Sequence, residues 1–271
     1  MARQYARRAW LAGAVRTRWS LVAALVLTLT GCDATPPAPP AAEPTTPTTP
    51  TTPSTPSAPS APPTPTPTPT PPAPPREGID ASHHQGPIDW PRVARAGITF
   101  AYLKATEGTG STDPRFAAHR AAATRAGIDV AGYHYFQLCS DGAAQAAHFL
   151  DVVGRDRAAA RALAPALDLE LVGSCTTPPP RAVLLAEVRA FLRAVDTALR
   201  TRTVVYLYPD LEDRYGFAAD LADHPQWVRR LGAQPPARPW HVWQYDDRGT
   251  VPGIRGGVDR NREQSAPANV E

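Results

Sequence analysis

Lysine is nearly missing from this sequence: Lys104 stands alone in 271 residues that carry 27 arginines. The arginine excess is a compositional bias and carries no functional weight. A basic surface is missing too. The formal charge is +3, but five arginines (Arg3, Arg7, Arg8, Arg16, Arg18) fall in residues 1–31 with no acid among them. The remainder has 23 basic and 25 acidic side chains, a net charge near −2. That balance gives no electrostatic footprint for nucleic acid. Long apolar runs are absent; the run at 21–29, "LVAALVLTL", is too short to span a bilayer as a helix. Cysteine is scarce, with three residues and no C-x-x-C spacing. Serine-nucleophile and phosphate-loop signatures are lacking as well.

What is present begins with an export signal. A basic flank followed by a short apolar run reads as a secretory segment over 1–31. It ends in "LTGC", which resembles the bacterial lipobox, where cleavage precedes the cysteine and the lipid is carried on it; here that residue is Cys32. Arg7-Arg8 fits a twin-arginine signal loosely. Residues 32–77 are almost wholly Pro, Thr, Ala and Ser, a composition with no apolar surface to bury. At about 3.1 Å per extended residue, its roughly 40 residues reach on the order of 100 Å. The expectation is a membrane-anchored lipoprotein with a spacer, facing the periplasm or cell wall.

The folded part is expected over 78–263, with a short tail at 264–271. Strand-like and helix-like stretches alternate: "GIDAS", then "IDWPRVARAG"; "ITFAYLKAT", then "DPRFAAHRAAATRAG", with Asp113 as N-cap and Pro114 at the first helical position. "DVAGYHYF" precedes "GAAQAAHFLDVVG", "LAPALDLE" precedes the long amphipathic "PRAVLLAEVRAFLRAVDTAL", and "TVVYLY" follows. Five such units and three shorter strand-like pieces ("QWVRRL", "WHVWQY", "GGVD") predict an α/β fold, a closed or nearly closed parallel barrel. In such barrels chemistry gathers at the C-terminal ends of the strands.

The residues at those ends are mainly acids and aromatics. Asp80 ends the first strand, followed by Ser82, His83, His84 and Gln85. Lys104, Thr106 and Glu107 end the second, and Tyr133, His134 and Tyr135 the third. Asp168 and Glu170 end the fourth, Tyr206 and Tyr208 the fifth. Trp243, Gln244, Tyr245, Asp259 and Asn261 come later. This mixture suits carbohydrate, because aromatic faces stack on sugars while acids protonate a glycosidic oxygen. Asp168 and Glu170 lie two apart on a strand and share a face, so their mutual repulsion favours a proton on one. A neutral carboxylic acid near pH 7 is what leaving-group protonation needs. His83 and His84, if extended, point to opposite faces, which disfavours a metal site with Asp80.

The motifs "GIDASHHQGPIDW", "FAYLKATEGTGSTDPRF", "AGIDVAGYHYF", "QAAHFL", "ALDLE", "VWQY" and "VPGIRGGVDRN" occur in this order. Together, over nearly all of 78–262, they resemble the glycoside hydrolase family 25 lysozymes, the Chalaropsis-type N-acetylmuramidases. The resemblance implies an irregular, TIM-like (β/α) barrel with five βα units and three further strands, and no metal or cofactor. It implies hydrolysis of the β-1,4 bond between N-acetylmuramic acid and N-acetylglucosamine in the glycan strands of peptidoglycan. Carried over by motif, Glu170 matches the general acid and Asp168 the carboxylate assisting the substrate's acetamido group. Asp80 and Asp259 match two further acids of that site. His134, Tyr206, Trp243 and Gln244 are expected to bind substrate, with core packing the alternative for His134 and Trp243, and with Tyr133 and Tyr135 facing away from His134. Where the family has "LWIA-x-Y", this chain reads "PQWVRRLG", so the aromatic end of its cleft differs. Cys139 and Cys175, an even pair in an exported chain, are expected to form a disulfide across the rim, once the barrel order makes their strand ends neighbours. No oligomerisation signal is present, and a monomer is expected. Rival readings are a non-catalytic peptidoglycan-binding lipoprotein and a metal-dependent deacetylase using Asp80 with the histidines.

Overall fold

The structure, a computed structural model, describes residues 74–264. The export signal, Cys32, the linker up to residue 73 and the tail from residue 265 lie outside the described residues. Nine strands appear: β1 (Arg76–Ala81), β2 (Phe100–Glu107), β3 (Ser111–Thr112), β4 (Asp129–Tyr135), β5 (Ala166–Leu169), β6 (Val204–Leu207), β7 (Gln226–Arg229), β8 (Val242–Gly249) and β9 (Val258–Glu263). Six helices join them: α1 (Trp90–Arg95), α2 (Phe116–Arg125), α3 (Gly142–Val153), α4 (Arg157–Ala162), α5 (Arg181–Leu199) and α6 (Pro209–Tyr215).

Eight of the strands close a barrel. β1, β2, β4, β5, β6, β7 and β8 run parallel in that order. β9 pairs antiparallel with both β8 and β1 and seals the ring. β3 only lengthens β2 as a short antiparallel flap. Five βα units and three further strands are thus in place.

Alternation along each strand sorts residues into two cores. Inside the barrel lie Phe100, Tyr102, Ala131, Ala166, Val204, Tyr206, Trp227 and Val242. Between the barrel and its helices lie Leu167, Leu169, Val205 and Leu207, against Val188, Phe191, Leu192 and Val195 of α5. Those α5 residues recur at helical spacing, so one stripe is apolar and buried. The helix stops at Arg200, whose φ of 54° takes the chain out of the helical region. Gly78 is fixed by the inner core: a Cβ there would sit 2.3 Å from the Phe100 ring that plugs the barrel floor.

Two boundaries differ from expectation. β1 begins at Arg76, two residues before Gly78, because its first residues are held by charge. Arg76 pairs with Asp129 at 2.5 Å and Glu263 at 3.0 Å, while Glu77 takes Arg262 at 2.7 Å and the Tyr245 hydroxyl at 2.6 Å. Asp113 does not cap α2 directly. The helix starts at Phe116 after a turn in which Asp113 Oδ1 accepts from Arg115 N, while its other oxygen binds His83.

Candidate active site

The C-terminal ends of the parallel strands open into a cavity of about 360 Å³. Asp80, Asp168, Glu170 and Asp259 line it, together with Tyr206 and Gln244. Six of the expected site residues therefore converge. Asp168 and Glu170 are brought there by β5, whose intervening Leu169 turns outward into the helix layer.

Two expected residues lie elsewhere. His134 is fully buried on the outside of β4. Its Nδ1 meets Thr106 Oγ1 at 2.7 Å, its Nε2 meets Gln145 Oε1 at 3.1 Å, and its ring stacks on Phe191 at 4.8 Å. Burial among those rings pushes its pKa down to about 4, so it is neutral. Tyr133 and Tyr135, its alternating neighbours, line the cavity instead. Trp243 also faces outward. Its indole donates to Arg230 O at 2.6 Å, and Arg262 lies over it at 5.4 Å. Trp240 and Tyr245 pack beside it, with ring centroids 5.9 and 5.6 Å away, and with the arginine they cover that face of β8. Trp227 of β7 provides the tryptophan of the cavity.

Asp80 sits at the head of a directed hydrogen-bond chain. The Trp227 indole can only donate, and it reaches Asn261 Oδ1 at 3.0 Å, so the Asn261 amide must present its nitrogen to Asp80 Oδ2, at 2.7 Å. Likewise Tyr206 OH donates to Gln244 Oε1 at 3.0 Å, leaving Gln244 Nε2 facing the same Asp80 oxygen at 3.4 Å. Asp259 stands opposite Asp80 on β9 and hydrogen-bonds to it. Burial and the charge of Asp80 lift Asp259 to about 9, so the proton of this pair rests on Asp259 at neutral pH.

The second carboxyl pair is Asp168 with Glu170, joined by a hydrogen bond. Burial, then the charges of Asp210 and Asp80, lift Glu170 to about 7. Burial, then the charge of Glu170, lifts Asp168 as well. Two such acids titrate as one unit and hold a shared proton at neutral pH. Asp168 Oδ1 is buried with no hydrogen-bond partner among the described residues.

The rim beyond Glu170 is latched to the end of β4. Tyr135 OH donates to Val172 O, Gln137 Nε2 to Gly173 O, and Leu138 N to Ser174 Oγ. Cys139 and Cys175 are joined in a disulfide with Cα atoms 5.9 Å apart. Lys104 reaches Glu107 at 2.7 Å and lies over the Tyr135 ring. His83 and His84 are not extended; they form a 3-10 turn with ring centroids 4.0 Å apart, which leaves His84 on the cavity wall and His83 on Asp113. Trp227, Arg229 and Asp247 also line the cavity and are not among the residues expected from the sequence. The first two alternate correctly on β7, and that period was the available signal.

A closed, mainly parallel barrel with paired carboxyls and aromatic walls at its mouth has the make-up of a sugar-cleaving hydrolase. Comparison with known proteins agrees. Residues 79–254 match the family model Glycosyl hydrolases family 25. Lysozyme M1 of Streptomyces globisporus is 33% identical over 213 residues, 72% of this chain and 69% of that protein. The bacterial lysozyme from Streptomyces coelicolor superposes with a TM-score of 0.63 at 33% identity, covering 72% of this chain and 94% of that one. A family 25 glycosyl hydrolase from Bacillus anthracis gives 0.64 at 26% identity, covering 70% and 89%. The chain belongs to Glycosyl hydrolases family 25 and is a glycoside hydrolase.

Proposed function

We propose that the protein is an exported lysozyme that hydrolyses the β-1,4 bond between N-acetylmuramic acid and N-acetylglucosamine in peptidoglycan. It acts as a monomer, held at the membrane by a lipid on Cys32 and carried toward the wall by the linker. The observation that carries the reading is the Asp168–Glu170 pair at the cavity wall, with Glu170 lifted to about 7. A carboxyl group poised there is half protonated at neutral pH and suits general acid catalysis.

In this reading Glu170 gives its proton to the glycosidic oxygen as the bond to muramic acid C1 breaks. The acetamido oxygen of the same sugar closes on C1 from the opposite face. Asp168 accepts the acetamido N–H, which favours the Asp168 carboxylate and moves the shared proton onto Glu170. Glu170, now ionised, takes a proton from water as that water attacks C1 and reopens the ring, so configuration is retained. Asp80, fixed by Asn261 and Gln244, contributes negative charge beside the developing cation, and Asp259 holds Asp80 in place. Tyr206 and Gln244 line the sugar subsite.

Purified peptidoglycan digested with the protein, reduced with borohydride and examined by mass spectrometry, should yield muramitol ends. Glucosaminitol ends would assign cleavage to the other glycosidic bond. Proton NMR during early turnover should show the β-anomer first; α-anomer first would refute retention. Labelled palmitate should enter the protein and be lost in Cys32→Ala.

A further inference from the structure

Arg229 ends β7 at the cavity wall. Its guanidinium is held on two sides. Nη2 donates to Asp247 Oδ2 at 2.7 Å, and the group lies over the Tyr208 ring, 5.3 Å from its centroid. Among the described residues, no hydrogen-bond acceptor meets its Nη1 or Nε. The side chain is 20% exposed, and that exposure opens on the cavity. Lys104, the other cation of the wall, is occupied by Glu107 and the Tyr135 face. Lys104 has no planar fork of donors, so Arg229 is the cation of the wall suited to a bidentate partner.

A largely buried guanidinium edge without a partner is costly unless water or a ligand meets it. Its geometry is also selective. A guanidinium clamped by a carboxylate and an aromatic face keeps its remaining donors in one plane, and a fork of the second Nη2 hydrogen with Nη1 or Nε matches the two oxygens of a second carboxylate. A sugar hydroxyl would use only one of those donors. The position along the rim matters as well. β5, β6 and β7 are consecutive, so Arg229 lies two strands from Glu170, about 10 Å at the usual strand spacing. That is the reach of a substituent on the sugar whose bond Glu170 would protonate.

We propose that Arg229 is a specificity residue whose free edge binds a carboxylate carried by the substrate strand, either on the lactyl ether of N-acetylmuramic acid or on a peptide attached to it. The proposal rests on the muramidase reading above. Both sources offer the same chemistry on the same arm of the sugar. Asp247 and Tyr208 act as positioning residues that hold the guanidinium for it.

The test uses the full chain on two glycans, peptide-stripped strands with free lactyl carboxylates and peptide-bearing strands. Each is supplied native and with its carboxylates converted to amides. The wild type should cleave one or both native strands with a kcat/KM about tenfold above the amidated form, as expected for a charge-assisted hydrogen-bond pair. Arg229→Gln should bring that ratio close to one, and Arg229→Lys should keep part of it. A preference confined to stripped strands identifies the lactyl group, and one confined to peptide-bearing strands identifies the peptide. A wild type indifferent to amidation overturns the proposal, as does an Arg229→Gln variant that loses the same factor on all four substrates. Melting curves of both variants guard against unfolding, and Arg229→Lys carries the comparison if the glutamine variant does not fold. If the wild type leaves every strand intact, the muramidase reading itself fails and this proposal with it.

Discussion

Glu170 should be a burden to the fold. The perturbation that exposes this is Glu170→Gln, which keeps the shape and cannot ionise. In the folded protein Glu170 titrates at about 7, against an ordinary value of 4.5. A carboxyl whose folded pKa is raised contributes its full stability below the unfolded value and loses it as pH rises through the folded one. At about 1.4 kcal/mol per pH unit, the wild type gives up ~3 kcal/mol between pH 4.5 and pH 8 from this group. The glutamine variant gives up none of it. Asp168 adds in the same direction, because the charge of Glu170 is what chiefly lifts it after burial. Thermal unfolding at pH 4 should therefore find the two proteins within a degree or so of each other, since glutamine mimics the neutral acid. At pH 8 the variant should melt about 6–12 °C higher, from ~3 kcal/mol at 2–4 °C each for a domain of this size. Equal melting temperatures at pH 8, or a difference that does not change with pH, would refute the account of a buried, mutually repelling carboxyl pair.

Three further predictions follow from other groups. The charge of Asp210 is the largest electrostatic cause lifting Glu170, so Asp210→Asn should move the alkaline limb of the kcat/KM profile to lower pH; an unmoved limb would detach that limb from Glu170. Asn261→Ala removes the 2.7 Å donor to Asp80 and orphans the buried Trp227 indole, which should cost about 3–5 kcal/mol in urea unfolding, and a loss under 1 kcal/mol would contradict the directed chain. His224 is clasped by Asp196 at 3.1 Å and Asp223 at 3.0 Å, and although burial lowers its pKa, these two acids raise it on balance. Its stabilisation is full below 6.5 and is lost as pH rises through the raised folded value, so His224→Gln should destabilise more at pH 6 than at pH 9. Equal losses at both pH values would show that the ion pairs contribute nothing.

Much of the site was legible because strands have a period of two. Asp168 and Glu170 had to share a face, and the register of five βα units carried them to the barrel mouth with Asp80 and Asp259. The same period was the source of the errors. It separates His134 from Tyr133 and Tyr135 but does not say which set faces inward. Gly132 and Phe136 decide it, since they share the His134 face. A Cβ at Gly132 would lie 2.8 Å from Val153 of α3, and Phe136 is buried against Phe191, so that face belongs to the helix layer. Trp243 and Gln244 are adjacent and could not both enter the cavity; the hydrogen bonds of Gln244 to Tyr206 and Asp80 settle which does. β3 is two residues long and α4 six, too short to leave a periodic pattern. α6 does carry a signal in the sequence, a proline at its first position and Gly216 at its end. Arg229 could be placed on a strand but not given a partner, because Asp247 lies on the next strand across and no sequence spacing joins them.

The central claim is that Glu170 is the acid that cleaves the glycan. Wild type and Glu170→Gln should be compared on purified peptidoglycan, with reducing ends counted by mass spectrometry and wall binding measured by co-sedimentation. The account predicts muramic acid reducing ends from the wild type, a loss of 10²-fold or more in the variant, as expected for removal of a general acid, and binding retained in both. Reducing ends formed by Glu170→Gln at the wild-type rate would contradict it.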